Sequence, residues 1–177
     1  MLCLTTFKKG RSNENARPTN LFGLDFDDQG NQINEVITYL GTLGCNWFLY
    51  TTHSHKPTHH KFRVILELAQ SIPDADENRL VFMVLNSLFG KQGFALDDAC
   101  KNISRLWYRP ASPSSASPCQ CHKRTDLGPL DISPQLALAR KEQRELVEFQ
   151  DREAKRAKAK SPIRKFFNPD NALLSVV

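Results

Sequence analysis

The stretch Leu21-Phe22-Gly23-Leu24-Asp25-Phe26-Asp27-Asp28 limits what this chain can become more than any other. Side chains alternate across a strand. An extended backbone here sends Phe22, Leu24 and Phe26 to one face and Gly23, Asp25 and Asp27 to the other. The aromatic and leucine side needs a covered sheet. The other side then presents two carboxylates at the strand's end. Such a pair suits Mg²⁺ or Mn²⁺, hard cations that take oxygen ligands and keep positions open for phosphate oxygens. Two such ions can organise phosphoryl transfer. Gly23 leaves space beside the carboxylates for a ligand or a neighbouring backbone. A plainer reading of the same residues is a strand running out into a turn.

The remaining pattern predicts an α/β chain of the α+β kind. Ile33, Val36, Ile37 and Leu40 recur at helical spacing between Asn31 and about Thr42, and Gly41 and Gly44 end that helix. Aromatic and β-branched residues predict a second strand over 46–52. Phe62 to Leu68 reads as a third strand, antiparallel to the second across a loop of four histidines. Strand, helix, strand has βαβ-like spacing. A second helix is expected from Asp74 to about Phe89, a short helix near 97–102 and a short strand over 104–110. Ser133-Pro134 reads as the N-cap and first turn of a helix reaching about Lys160. The organisation expected is a polar leader over 1–20, a catalytic domain over 21–110, a Ser/Pro-rich linker over 111–132 and a charged helical tail over 133–177.

With 177 residues and 40% hydrophobic content, the chain can build one domain with a core plus a tail. The net charge of +5 permits a polyanionic partner without demanding one. No apolar run is long enough to span a membrane, and the first residues lack the apolar segment of a secretory signal. Five cysteines without a regular framework fit reduced thiols and a cytoplasmic location.

Three segments carry candidate chemistry: Asp25 with Asp27; Thr51 to Arg63, with His53, His55, His59 and His60; and Leu96-Asp97-Asp98 leading to Ser104-Arg105-Leu106-Trp107-Tyr108. Arg63 begins the polar face of the third strand. It can clamp triphosphate oxygens or form a surface ion pair. The histidines suit a transition metal, a contact to phosphate or base beside a carboxylate–Mg²⁺ centre, or an ordinary polar loop. Cys119-Gln120-Cys121-His122 suggests zinc, but no second ligand pair follows at suitable spacing.

In order, "LDFDD", "YTTHSHKPTHHKFRVIL" and "LDDACKNISRLWYRP" resemble the primase-polymerase domain of plasmid, phage and integrated-element replication proteins, within the archaeo-eukaryotic primase superfamily. The resemblance covers roughly residues 20–110. It implies an RRM-like catalytic layer and two-metal nucleotidyl transfer. Asp25 and Asp27 match the first acidic motif. Asp97 matches the last and is the third expected metal ligand, with Asp98 beside it as the next choice. The middle motif, a small polar residue, any residue and a histidine, is met several times between Thr51 and His60. His55 is the favoured nucleotide contact, with Arg63 beside it. Arg105 matches an arginine of related replication proteins, expected at a phosphate or an acidic ligand. The implied partners are single-stranded DNA, nucleoside triphosphates and a separate replicative helicase.

Related proteins often continue into a helicase; this chain has no G-x-x-x-x-G-K-[ST] loop. The segment before the first motif is short, which predicts an incomplete N-terminal lobe or a truncated copy. Two other classes compete. One is a catalytically silent DNA-binding initiator with the same fold. The other is a rolling-circle endonuclease with Tyr108 as nucleophile, although Ser54 stands where such enzymes place a hydrophobic residue between the two histidines.

Overall fold

The structure, a computed structural model, describes residues 2–27, 30–111 and 119–160. Its elements are β1 (Thr19–Phe26), α1 (Ile33–Thr42), β2 (Trp47–Thr51), β3 (Phe62–Ile72), α2 (Ala75–Gly90), a 3-10 turn at Asp98–Lys101, β4 (Cys121–Arg124) and α3 (Ser133–Lys160). The chain is α+β. Its four described strands form one antiparallel sheet in the order β1-β3-β2-β4.

Because β1 and β2 both run antiparallel to β3, they run parallel to each other with β3 between them, and α1 joins them. This is a split βαβ. β4 then joins the outer edge of β2 rather than that of β1. Local hydrogen bonds explain the choice. At Asp25, the backbone N–H donates to Cys100 Sγ at 3.2 Å, and its carbonyl accepts the Asp97 N–H at 3.0 Å. Around β4, Thr51 N–H donates to the Gln120 carbonyl at 3.0 Å, and Asn46 N–H to that of Gly128 at 2.6 Å.

Alternation gives the sheet two different faces. Phe22, Leu24 and Phe26 lie in register with Leu66, Val64 and Phe62, and these with Trp47, Leu49 and Thr51. All nine are buried, and this face meets the helices: Phe26 stacks on Phe62 and meets Phe89 of α2 edge-on, while Tyr39 of α1 also abuts Phe89. Asp74 caps α2 by accepting the N–H groups of Asp76 and Glu77. On the opposite face two cross-sheet rows appear: Gly23–Ile65–Phe48–Lys123 and Asp25–Arg63–Tyr50–Cys121.

Several expectations meet a different arrangement at the chain's polar stretches. Residues 2–19, expected as a leader, pack on the sheet: Leu2 bridges to Trp107, Phe7 to Ala16, and Thr5 and Ala16 are buried. Their few apolar side chains, set in a polar background, make these contacts. The 104–110 segment forms only the Trp107 bridge to Leu2, not a strand. The expected linker contributes β4, and beyond it Leu130 and Ile132 are buried. Ile132 accepts the first bond of α3 from Leu136 N–H, and Asp131 Oδ1 accepts Ser133 N–H, so the cap falls at Ile132, one residue before the expected Ser133, and α3 begins at Ser133 itself. The Ser/Pro run at 112–118, Asp28 and residues 161–177 lie outside the described residues.

The chain divides into two compact units at Ala139 and Arg140. The first carries the sheet, α1, α2 and the start of α3. In the second, residues 140–157 of α3 are exposed throughout. No helix among the described residues is long and apolar enough to cross a membrane.

Candidate functional site

Asp25 is the centre of the polar face. Register places it directly opposite Arg63, whose Nε reaches Asp25 Oδ2 at 3.2 Å. Arg105 arrives from the segment after the 3-10 turn. Its Nη2 lies 2.5 Å from the same Asp25 oxygen and 2.9 Å from Asp97 Oδ2. One guanidinium therefore joins two carboxylates from distant parts of the chain. Both arginines lie over the Trp107 ring, at 5.5 Å for Arg63 and 4.9 Å for Arg105. The indole fills the space left by Gly23: a Cβ there would stand 2.4 Å from Trp107 Cζ2. The sequence leaves that space for a ligand or backbone; the structure fills it with the floor under both guanidinium groups.

Burial sets the electrostatics. The Asp25 side chain is 1% exposed. Burial pushes its carboxyl above the ordinary range, while Arg63 and Arg105 pull it back. Asp25 Oδ1 is buried without a hydrogen-bond partner. For Asp97, burial opposes ionisation, but the Ala99 N–H and Arg105 outweigh it and hold its carboxyl below the ordinary range. The Cys100 thiol is pushed up to about 12 by burial, so it remains a thiol beside Asp25. Tyr50, fully buried, donates its hydroxyl to the Tyr108 carbonyl at 3.0 Å, to which Arg63 Nη1 also donates at 3.4 Å.

The structure thus gathers Asp25, Asp97, Arg63 and Arg105 into one cluster. Asp27 stands at its rim, half-exposed, 3.7 Å from Lys61 Nζ. Asp98 instead pairs with Lys101 in solvent. His55 sits apart in the histidine loop, which largely clasps the turn after β1. His55 Nδ1 accepts Lys61 N–H at 3.1 Å, His60 Nδ1 accepts Ile33 N–H at 3.1 Å, and His59 Nε2 lies 2.9 Å from the Asp27 carbonyl. An Nδ1 that accepts a backbone N–H leaves the ring proton on Nε2. His55 and His60 are therefore N–H donors at Nε2 rather than ready metal ligands. The Cys119 and Cys121 sulfurs lie 4.0 Å apart. Among the described residues, no group of three or more His, Cys, Asp or Glu forms a metal-holding cluster.

The carboxylate set nevertheless matches a hard cation in kind. Asp25, Asp27 and Asp97 offer only oxygen, and Asp25 Oδ1 is a buried acceptor with no partner. Arg105 is the cation now held between Asp25 and Asp97. Trp107, like Tyr50 and Cys100, has no role assigned from sequence. Its signal is the pairing of a glycine on the polar face of one strand with a tryptophan in a distant motif.

The model of the VapE N-terminal domain matches residues 4–141. The chain belongs to that family. VapE N-terminal domains are associated with replication proteins of phages and plasmids, so this is a phage- or plasmid-replication-related protein. The match spans the whole sheet and begins at Leu4, within the segment expected as a leader. The carboxylate–arginine cluster of this VapE N-terminal domain is thus assembled entirely from matched residues. No curated protein and no solved structure matches the chain.

Proposed function

We propose that this VapE N-terminal domain is a primase-polymerase-like nucleotidyl-transfer module that joins nucleotides along a single-stranded DNA template in the cytoplasm. The observation that carries this reading is the meeting of Asp25 and Asp97 on Arg105, 80 positions from Asp25, with Arg63 opposite. Asp25, Asp27 and Asp97 would hold Mg²⁺ or Mn²⁺. When bound, such ions supply positive charge to the attacking 3′-hydroxyl and the departing pyrophosphate.

The chain's own groups do the rest. Arg63 and Arg105 present planar donors suited to phosphate oxygens. Trp107 holds both guanidinium groups in place from below. His55 offers a neutral Nε2–H to the nucleotide, since burial and then His60 depress its pKa. A separate replicative helicase would supply unwound template.

The test is template-directed synthesis with ribo- and deoxyribonucleotides, in Mg²⁺ or Mn²⁺, by wild type and by Asp97→Asn and Asp27→Asn. Asp25 is the poorer choice, because removing it strands two partly buried guanidinium groups. Wild type is expected to make product, and each variant to lose at least about 100-fold in rate while melting normally. Synthesis by Asp97→Asn at the wild-type rate would sink the assignment. So would a folded wild type that makes nothing. The enclosure of Asp25 between two arginines favours the alternative in that event: a silent module that binds single-stranded DNA without extending it.

A further inference from the structure

The polar face of the sheet extends beyond the carboxylate–arginine cluster, and its far half has no task in the reading above. Toward β1 it is covered by Trp107 and Leu4, which crowd Gly23. Toward β2 and β4 it carries Phe48 and Ile65, both half-buried, and exposed Lys123. Register sets these three side by side: Phe48 faces Ile65 on β3 and Lys123 on β4. The Phe48 ring leans on that of Tyr50, with centroids 5.6 Å apart, and Tyr50 is anchored to the Tyr108 carbonyl. Phe48 is thus an aromatic side chain braced from one side on a sheet face that the helices do not use. All of β4 is exposed, and it reads Cys121-His122-Lys123-Arg124.

We infer that this half of the face is a stacking platform for single-stranded nucleic acid, with a base on Phe48 and its phosphate at Lys123. The direction of the strand, toward Asp25, rests on the function proposed above; the platform itself does not. A braced ring beside one cationic side chain, Lys123, suits an unpaired base and its phosphate, because every base has a π-face. A duplex hides those faces. A protein partner would want a broader apolar patch than one ring and one isoleucine, without Lys123 beside them. The register also gives the platform a destination. The Phe48 row crosses β3 to Gly23, two strand spacings away (~10 Å). The adjacent row ends on Arg63 and Asp25. A strand leaving Phe48 toward β1 therefore meets Trp107, over whose ring Arg63 and Arg105 of the cluster lie.

The experiment uses the full chain and a fluorescent oligo-dT, with oligo-rU and a duplex of equal length as further arms. Phe48→Ala should weaken oligo-dT binding by about tenfold or more, Phe48→Tyr should restore it, and Lys123→Glu should weaken it and flatten its salt dependence. In Phe48→Trp, saturating oligo-dT should change the emission of the new indole, and the duplex should not. Comparable results with oligo-rU assign the platform to single strands of either sugar; an effect with only one of them assigns it to that sugar. Wild-type affinity in a normally melting Phe48→Ala variant would overturn the inference. So would equal dependence on Phe48 for duplex, or an unchanged Phe48→Trp spectrum. Phe48-dependent binding without synthesis would leave the platform standing and remove the catalytic reading. Synthesis indifferent to Phe48 would do the reverse.

Discussion

A Cβ on Gly23 would also stand 2.7 Å from Trp107 Cη2 and 2.8 Å from a Leu4 methyl, so the smallest side chain in the molecule decides where one of the largest can lie. Gly23→Ala should cost about 1–3 kcal/mol by overpacking, measured by denaturant unfolding. It should also shift tryptophan emission as Trp107 is displaced. In a Trp107→Leu background the penalty should shrink, because the flat ring is the obstacle. A penalty that persists at full size there would locate the strain elsewhere. The faces of Phe22, Gly23, Leu24, Asp25 and Phe26 were all legible from period-two alternation. Of what holds the Asp25 carboxyl, the resemblance pointed Arg105 to a phosphate or an acidic ligand, but alternation did not pair Arg63 with it, because a strand's own residues do not announce which cation its neighbour places opposite. Arg63 was read from its polar face as either a phosphate clamp or a surface ion pair; it forms an ion pair, with a buried carboxylate. Its pairing with Asp25 depends on register, which arises only when β1 and β3 meet.

Among the elements, the histidine loop between β2 and β3 changes meaning most between sequence and structure. Four histidines in a short span suggest ligation. Three instead close backbone hydrogen bonds at the turn after β1, at the start of α1 and within the loop itself. This has a pH consequence. Burial, and then neighbouring His60, depress the pKa of His55. A base with a depressed folded-state pKa binds protons less well than it does in the unfolded chain. Its stability contribution is therefore whole above the ordinary value of 6.5 and is lost as pH falls through that value toward the lower folded one. Unfolding free energy should drop between pH 7.5 and 5.5 in wild type. The drop should be smaller in His55→Gln, whose amide oxygen can still accept Lys61 N–H. Equal drops would assign the sensitivity to other groups. α1, β2, β3 and α2 were legible because they bury a periodic face. β4 was not: all four of its residues are exposed, so no alternation marks it.

At the scale of the whole molecule, the charged C-terminal helix and the sheet unit part at Ala139 and Arg140, close to where the family match ends. Leu136, buried, and Ala139, partly buried against the core, both precede that boundary. A chain ended after Lys141 should unfold cooperatively within about 4 °C of the full chain, while losing helical circular-dichroism signal. A collapse of the transition would make the helix part of the sheet unit's stability. Of the strand order 1-3-2-4, the antiparallel pairing of β2 with β3 was legible in sequence, but the edge that β4 takes was not, since it depends on which edge is already occupied. That same feature has a consequence for the molecule among its neighbours. At Asp25 the main-chain groups on the outer side of β1 are taken by Asp97 and Cys100. The opposite margin is only four residues long and cationic, so a second copy brought alongside would be repelled. Occupation of β1 at Asp25 and positive charge along β4 each oppose strand-by-strand growth of the sheet into aggregates.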